Sequence, residues 1–301
     1  MSFNRGNNII FQNLGLEFDK LGKSITVFGL DIAFYGIIIA IAAIMGYKVA
    51  QYQAKRSGQD PELYLDFALV LFLPTLIGAR LYYVISEWST FKDEPLQILN
   101  LRTGGLAIYG GVLAGIICAL AFSRVKKINT RLFVDTCAPA LIIGQAIGRW
   151  GNFFNREAFG NYYDGLSSML LNVNDVHSDY RRPVEMLASK YADQPEALEK
   201  ILEIRNNTVL IDGAKYIQVH PTFLYESLWS FALVAIMLIY SKHKRFDGEI
   251  LIIYFIGYGL GRFWIEGLRT DQLFLPGSPI PVSQLLSAGL VVIGIGLLVY
   301  N

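Results

Sequence analysis

Seven apolar runs, each about twenty residues long, constrain this chain more than any other feature in it. A helix needs about 20 apolar residues to cross the hydrocarbon of a bilayer, so a chain that repeats such a run is expected to cross it repeatedly. The runs lie near residues 27–47, 63–85, 104–122, 132–149, 221–240, 249–268 and 282–300. Hydrophobic residues make up 53% of the 301 and charged residues only 17%, against about a quarter charged in soluble domains. The expected fold is an all-α polytopic membrane protein of seven transmembrane helices. Between the fourth and fifth runs, residues 161–219 hold much of the acidic and amide content. Within them 193–204 reads as a short amphipathic helix begun by Pro195, and 208–219 as a hairpin turning at Asp212-Gly213. The expected organisation is an N-terminal segment (1–27), a first membrane block (27–160), a small mixed α/β head (161–219) and a second membrane block (220–301).

The short loops 48–62, 123–131 and 242–246 carry ten Lys/Arg, and each follows an odd-numbered run. Positive loops stay cytoplasmic, which predicts the N-terminus and the head outside and the C-terminus inside. The first 27 residues are polar-mixed and the first run lacks a small-residue cleavage site, so that run is expected to act as an uncleaved signal anchor. A net charge of +1 offers no basic field for nucleic acid. Cys118 and Cys137 fall inside apolar runs, and His177, His220 and His243 are scattered. That spacing suggests neither a disulfide scaffold nor a metal site, and the cysteines read as packing residues. No cofactor is expected.

The chemistry concentrates where arginines arrive at the ends of apolar runs. Residues 148–160 read Gly-Arg-Trp-Gly-Asn-Phe-Phe-Asn-Arg-Glu-Ala-Phe-Gly. On a helix Arg149, Asn152 and Arg156 share a face, with Asn155 off the stripe and placed to cap or turn the chain. Residues 257–269 repeat the pattern, with Tyr258, Arg262, Glu266 and Arg269 spaced by four, four and three. The predicted topology puts these arginines toward the outer face, where the positive-inside bias does not account for them. Guanidinium groups in apolar surroundings bind phosphate through several charge-assisted hydrogen bonds, and the abundant phosphate ester of a membrane is a phospholipid. Two arginines could stabilise a departing phosphate, with Glu226 and Glu266 orienting them. The same arginines also suit a transporter or channel for an anionic solute, although no internal repeat is visible. The block 104–111, Gly-Gly-Leu-Ala-Ile-Tyr-Gly-Gly, permits close backbone approach by another helix or by a ligand.

These residues, taken together and in order, resemble the prolipoprotein diacylglyceryl transferases. The family signature Gly-Arg-x-Gly-Asn-Phe-x-Asn-Gly-Glu-x-x-Gly is matched by Gly148, Arg149, Gly151, Asn152, Phe153, Asn155, Glu157 and Gly160. Tyr35-Gly36, the 104–111 block, His220-Pro221, Tyr225-Glu226 and the series Tyr258, Arg262, Glu266 and Arg269 match further. The resemblance implies a membrane enzyme of the bacterial cytoplasmic membrane, with phosphatidylglycerol, lipobox-containing preprolipoproteins and membrane lipids as its partners. It implies transfer of a diacylglyceryl group to a cysteine thiol, with release of glycerol 1-phosphate. Arg149, Arg262, Glu266 and Tyr109 form the expected catalytic set. Tyr35, Asn152, Asn155, Glu157, Gly160, His220, Glu226, Tyr258 and Arg269 are expected to bind substrate. Two positions depart from the family pattern: Arg156 stands where glycine is usual, and Tyr109 where histidine is frequent. An unperturbed tyrosine, with a pKa of about 10, is a poor base at neutral pH. Tyr109 is therefore expected to position substrate while the cysteine reacts through its own thiolate fraction, raised by a nearby arginine. His220 could substitute as base only by facing the same cavity. Tyr109 also keeps open a non-catalytic phospholipid-binding relative.

Overall fold

The computed structural model describes residues 9–100, 104–275, 278 and 280–301. Pro276 and Pro279, in the connection between the sixth and seventh apolar runs, lie outside the described residues, as do the first eight residues and 101–103. In chain order the elements are β1 (Ile9–Phe11), β2 (Leu16–Phe18), β3 (Ser24–Val27), β4 (Leu30–Ala33), α1 (Phe34–Arg56), α2 (Leu63–Ser86), α3 (Trp88–Phe91), α4 (Ile108–Val125) and α5 (Thr130–Asn155). There follow β5 (Met169–Asn172), α6 (Val184–Lys190), α7 (Pro195–Asn206), β6 (Val209–Ile211), β7 (Ala214–Val219), α8 (Thr222–Tyr240), α9 (Glu249–Leu268) and α10 (Val282–Tyr300).

Among the described residues, six helices are long and apolar enough to span a bilayer: α1, α2, α4, α8, α9 and α10. The chain is therefore a polytopic helical membrane protein with a small mixed α/β region. The longest helix, α5, is not among the six, because Arg131, Asp135, Gln145, Arg149 and Asn152 interrupt its apolar face. The first helix also differs from expectation. It begins at Phe34, because 24–33 fold as the hairpin β3–β4. That hairpin turns at Phe28-Gly29, both at positive φ (51° and 79°), the backbone that a tight two-residue hairpin turn requires.

Tyr47–Ala140 and Arg245–Gly248 form one compact unit. In it α2 and α4 approach closely: a Cβ added at Gly78 would lie 2.5 Å from the Ala114 Cβ and 2.7 Å from the Gly110 carbonyl oxygen. The 104–111 glycines thus serve helix packing at this point. Arg80, buried on α2, donates to the carbonyls of Gln97, Ile98, Asn100, Gly104 and Gly105 at 2.6–3.0 Å, fixing the chain that leads into α4. Tyr64, Phe67, Phe122 and Phe133 form an aromatic cluster against which Cys118 and Cys137, both free thiols, pack.

The other unit comprises the described residues up to Gly46 together with Leu141–Lys244 and Glu249–Asn301. Its five-stranded sheet is antiparallel throughout, in the order β2-β1-β5-β7-β6. The hairpin β6–β7 turns at Asp212-Gly213 as the sequence predicts. The sheet is not confined to 161–219, because β1 and β2 from the N-terminal segment pair into it. Alternation sends Ile9, Leu171, Ile217 and Val219 into a core shared with Leu187 of α6 and Ile201 and Ile204 of α7, while Ile10, Leu170 and Tyr216 form a second cluster. Asp179 is buried beside the end of α6 and accepts hydrogen bonds from Lys190 (2.5 Å), Tyr191 (2.7 Å) and Arg182 (3.2 Å). Burial alone would raise its pKa, but the Lys190 and Tyr191 bonds hold the carboxyl below the ordinary range.

The signature segment is helical through Asn155 and no further. Arg156 turns to a φ of 56° and so leaves the face it was expected to share with Arg149 and Asn152. Its side chain is buried, donates to the carbonyls of Phe154 (2.8 Å) and Leu21, and lies 3.7 Å from the Asp175 carboxylate.

Candidate active site

Three helix ends supply the site: the last turns of α5, the first turns of α8 and the last turns of α9. Trp150 on α5 donates to the Ser227 hydroxyl of α8 (3.1 Å), which donates to the Ala146 carbonyl of α5 (2.9 Å), so the two helices hold one another in register. Gly151 lets Tyr35 of α1 close in from another side, since a Cβ there would stand 2.6 Å from the tyrosine ring. These contacts fix the turn that carries Arg149.

Glu226, one turn into α8, gathers three arginines. Its Oε2 lies 2.7 Å from Arg149 Nη2 and 3.0 Å from Arg262 Nη1, and its Oε1 lies 3.4 Å from Arg269 Nη1. Glu266 pairs with Arg262 one turn before it and stands 3.9 Å from Arg269 Nε. Asp271 receives two bonds from Arg269, at 2.6 and 2.9 Å. The three guanidiniums therefore face three carboxylates. Burying so many charges is tolerable only because each has an opposite charge beside it.

Arg149 is the exception to this saturation. Only one of its nitrogens meets Glu226, and Nε and Nη1 have no protein partner among the described residues. Its side chain is 23% exposed, the most open of the three arginines. A guanidinium carries several N–H donors in a planar fork, so Arg149 can receive an anion without releasing Glu226.

The signature's polar residues form a cap beside this cluster. Asn152 and Asn155 both donate to Glu157 Oε1, at 3.1 and 3.2 Å, and the Glu157 amide returns to the Asn152 carbonyl at 3.1 Å. Gly160 ties the cap to the other two helices. Its amide donates to the His220 carbonyl (3.0 Å), it bridges Arg269, and the Asn161 amide donates to the Leu268 carbonyl (2.8 Å). His220 stacks on Tyr163 at 3.9 Å between ring centroids and meets the Tyr225 hydroxyl at 3.2 Å. Tyr258 stacks on Tyr254 at 5.3 Å. Tyr109 belongs to the other unit, at the second position of α4, with its ring 6.3 Å from Tyr82.

Sequence reasoning gave no role to two residues that complete the site. Asp271 carries a visible signal, an acid two residues past Arg269. Lys200 carries none: it reaches from α7 to the carbonyls of Gly267 (3.5 Å) and Arg269 (3.4 Å) and to Gln272 (2.9 Å), where a cation suits the negative end of α9.

Comparison with known proteins agrees with the signature. The prolipoprotein diacylglyceryl transferase family model matches residues 23–300. Over 264 residues, 86% of this chain and 84% of the relative, the chain is 37% identical to a phosphatidylglycerol--prolipoprotein diacylglyceryl transferase of Bacillus cereus. The enzymes of the same name from Bacillus anthracis and Bacillus cytotoxicus cover the same shares at 37% and 36% identity.

Proposed function

The chain belongs to the prolipoprotein diacylglyceryl transferase family, and from that premise we propose how its own residues carry the reaction. The enzyme transfers the diacylglyceryl group of phosphatidylglycerol to the thiol of a lipobox cysteine in a preprolipoprotein. The sulfur attacks the glyceryl carbon that bears the phosphate, a thioether forms, the carbon–oxygen bond breaks, and glycerol 1-phosphate leaves. The phosphate begins the step with one negative charge as a diester and gains a second as it departs. The thiol proton ends on that phosphate or in water.

The observation that carries the assignment of roles is the unsaturated Arg149 beside a charge-balanced cluster. Arg149, with Arg262 behind it, receives the phosphate and stabilises the charge that develops on it, the interaction that contributes most to such catalysis. Glu226 aims both arginines, and Glu266 with Asp271 fixes Arg262 and Arg269. Asn152, Asn155 and Glu157 hold the end of α5, Gly160 joins it to α8 and α9, and Tyr35, Tyr258 and His220 line the lipid side. Tyr109 positions the acceptor cysteine, which reacts as its own thiolate. In this reading α5 is a seventh span of the bacterial cytoplasmic membrane, polar because it carries the site. The N-terminus and the head lie outside and the C-terminus inside, as the ten Lys/Arg of the three loops favour.

The test uses the full-length protein in vesicles containing phosphatidylglycerol, with a lipobox peptide as acceptor. Mass spectrometry is expected to find a diacylglyceryl increment on the cysteine, absent from vesicles of phosphatidylcholine alone. A folded protein that leaves the peptide unmodified in phosphatidylglycerol vesicles would sink the assignment.

A further inference from the structure

Gln145 and Tyr254 form a polar pair inside otherwise apolar runs, and the roles above leave it unexplained. The Gln145 amide nitrogen donates to the Tyr254 hydroxyl at 3.1 Å, while Gln145 Oε1 is buried without a hydrogen-bond partner. Tyr254 is itself buried, and its hydroxyl proton finds no acceptor among the described residues. Turning the amide over improves the arrangement. Tyr254 then donates to Oε1, and the unpartnered group becomes the Gln145 N–H pair. An amide left that way in a buried place carries a desolvation cost unless a ligand supplies an acceptor.

Position says which acceptor. Gln145 precedes Arg149 by four residues on α5, and Tyr254 precedes Arg262 by eight on α9, so both lie on the faces that carry the arginines. Both also lie on the side of those arginines toward the middle of the apolar runs. A phospholipid whose phosphate rests on Arg149 extends its glycerol and acyl esters in that same direction. Ester carbonyls accept hydrogen bonds and donate none, which matches the donor left over.

We propose that Gln145, held by Tyr254, is a specificity-determining residue that donates a hydrogen bond to an acyl ester carbonyl of the phospholipid, so that the enzyme selects diacyl over dialkyl lipids. The proposal rests on the phosphate site assigned to Arg149 above. Its test compares phosphatidylglycerol with its dialkyl ether analogue of equal chain length, each in mixed micelles with the lipobox peptide. The two lipids share head group and reacting carbon and differ in the carbonyls alone. The parent enzyme is expected to show a kcat/KM about two- to ten-fold higher for the diester, the worth of one neutral hydrogen bond. Gln145→Leu is expected to bring the diester down to the ether value and to leave the ether value and the peptide KM unchanged. Tyr254→Phe, which frees the amide, is expected to narrow the same ratio. Equal use of both lipids by the parent would overturn the proposal. So would an unchanged ratio in both variants, or a Gln145→Leu effect confined to the peptide KM. Transfer from neither lipid by the parent would instead overturn the phospholipid reading beneath it.

Discussion

Replacing Glu226 by glutamine keeps the shape of the site and removes the charge that three arginines share. In the parent protein Arg149, Arg262 and Arg269 face Glu226, Glu266 and Asp271, so the cluster is neutral. In Glu226→Gln it carries one net positive charge, and Arg149 loses its sole carboxylate among the described residues. Breaking a buried pair from one side costs about 3–5 kcal/mol. Arg149 is 23% exposed and the remaining acids screen Arg262 and Arg269, so we expect the low end, about 3 kcal/mol. In micelles without anionic lipid this corresponds to a fall in Tm on the order of 5–10 °C. Phosphatidylglycerol, whose phosphate supplies a replacement charge, is expected to narrow that gap by stabilising the variant more than the parent. Transfer to the peptide should drop at least ten-fold, because Arg149 is no longer aimed. A variant with parental Tm and parental kcat, or one whose deficit phosphatidylglycerol leaves untouched, would refute the reasoning.

Three further outcomes follow from individual contacts. Gly160→Ala places a Cβ 2.8 Å from His220 Cβ and 3.0 Å from the Leu268 carbonyl; thermal unfolding should show a loss of about 1–3 kcal/mol, as overpacking gives. At Arg156 the φ of 56° favours glycine, so Arg156→Gly should be more stable than Arg156→Ala by about 1 kcal/mol, although both lose the bonds to Phe154 and Leu21. The Asp179 pKa is lower in the folded protein than in the unfolded chain, so its contribution is complete above its unfolded value of about 3.9. That contribution is lost as pH falls through the folded value. Tm measured from pH 6 downward should fall less steeply below about pH 4 in Asp179→Asn than in the parent.

The membrane helices were legible because length and apolarity decide them: α9 and α10 begin and end where the runs predict. The start of α1 was not. The apolar residues of 24–33 alternate along a hairpin, and a hydropathy run does not distinguish that from the first turns of a helix. The sheet was half legible. An Asp-Gly turn announces β6–β7 locally, whereas the pairing of β1 with β5 joins residues about 160 apart and has no local signal. In the site, helical spacing placed Arg262, Glu266 and Arg269 on one face. It failed at Arg156, because nothing in the spacing marks the residue where a helix stops and the backbone turns left-handed. That Glu226 would serve all three arginines was equally hidden, since it depends on how α8 meets α5 and α9 and not on any pattern within α8.

The central claim is that Arg149 holds the phosphate as it leaves, and the rate of peptide modification in Arg149→Lys and Arg149→Ala tests it most directly. Lysine keeps the charge but not the planar fork that can hold Glu226 and phosphate together. With fold confirmed by Tm and with saturating phosphatidylglycerol, kcat is expected to fall about 100-fold or more in Arg149→Ala, the usual loss for a transition-state donor. Arg149→Lys should be intermediate. An Arg149→Ala enzyme that modifies the peptide within a few-fold of the parental kcat would contradict the account, and the phosphate would have to be held elsewhere.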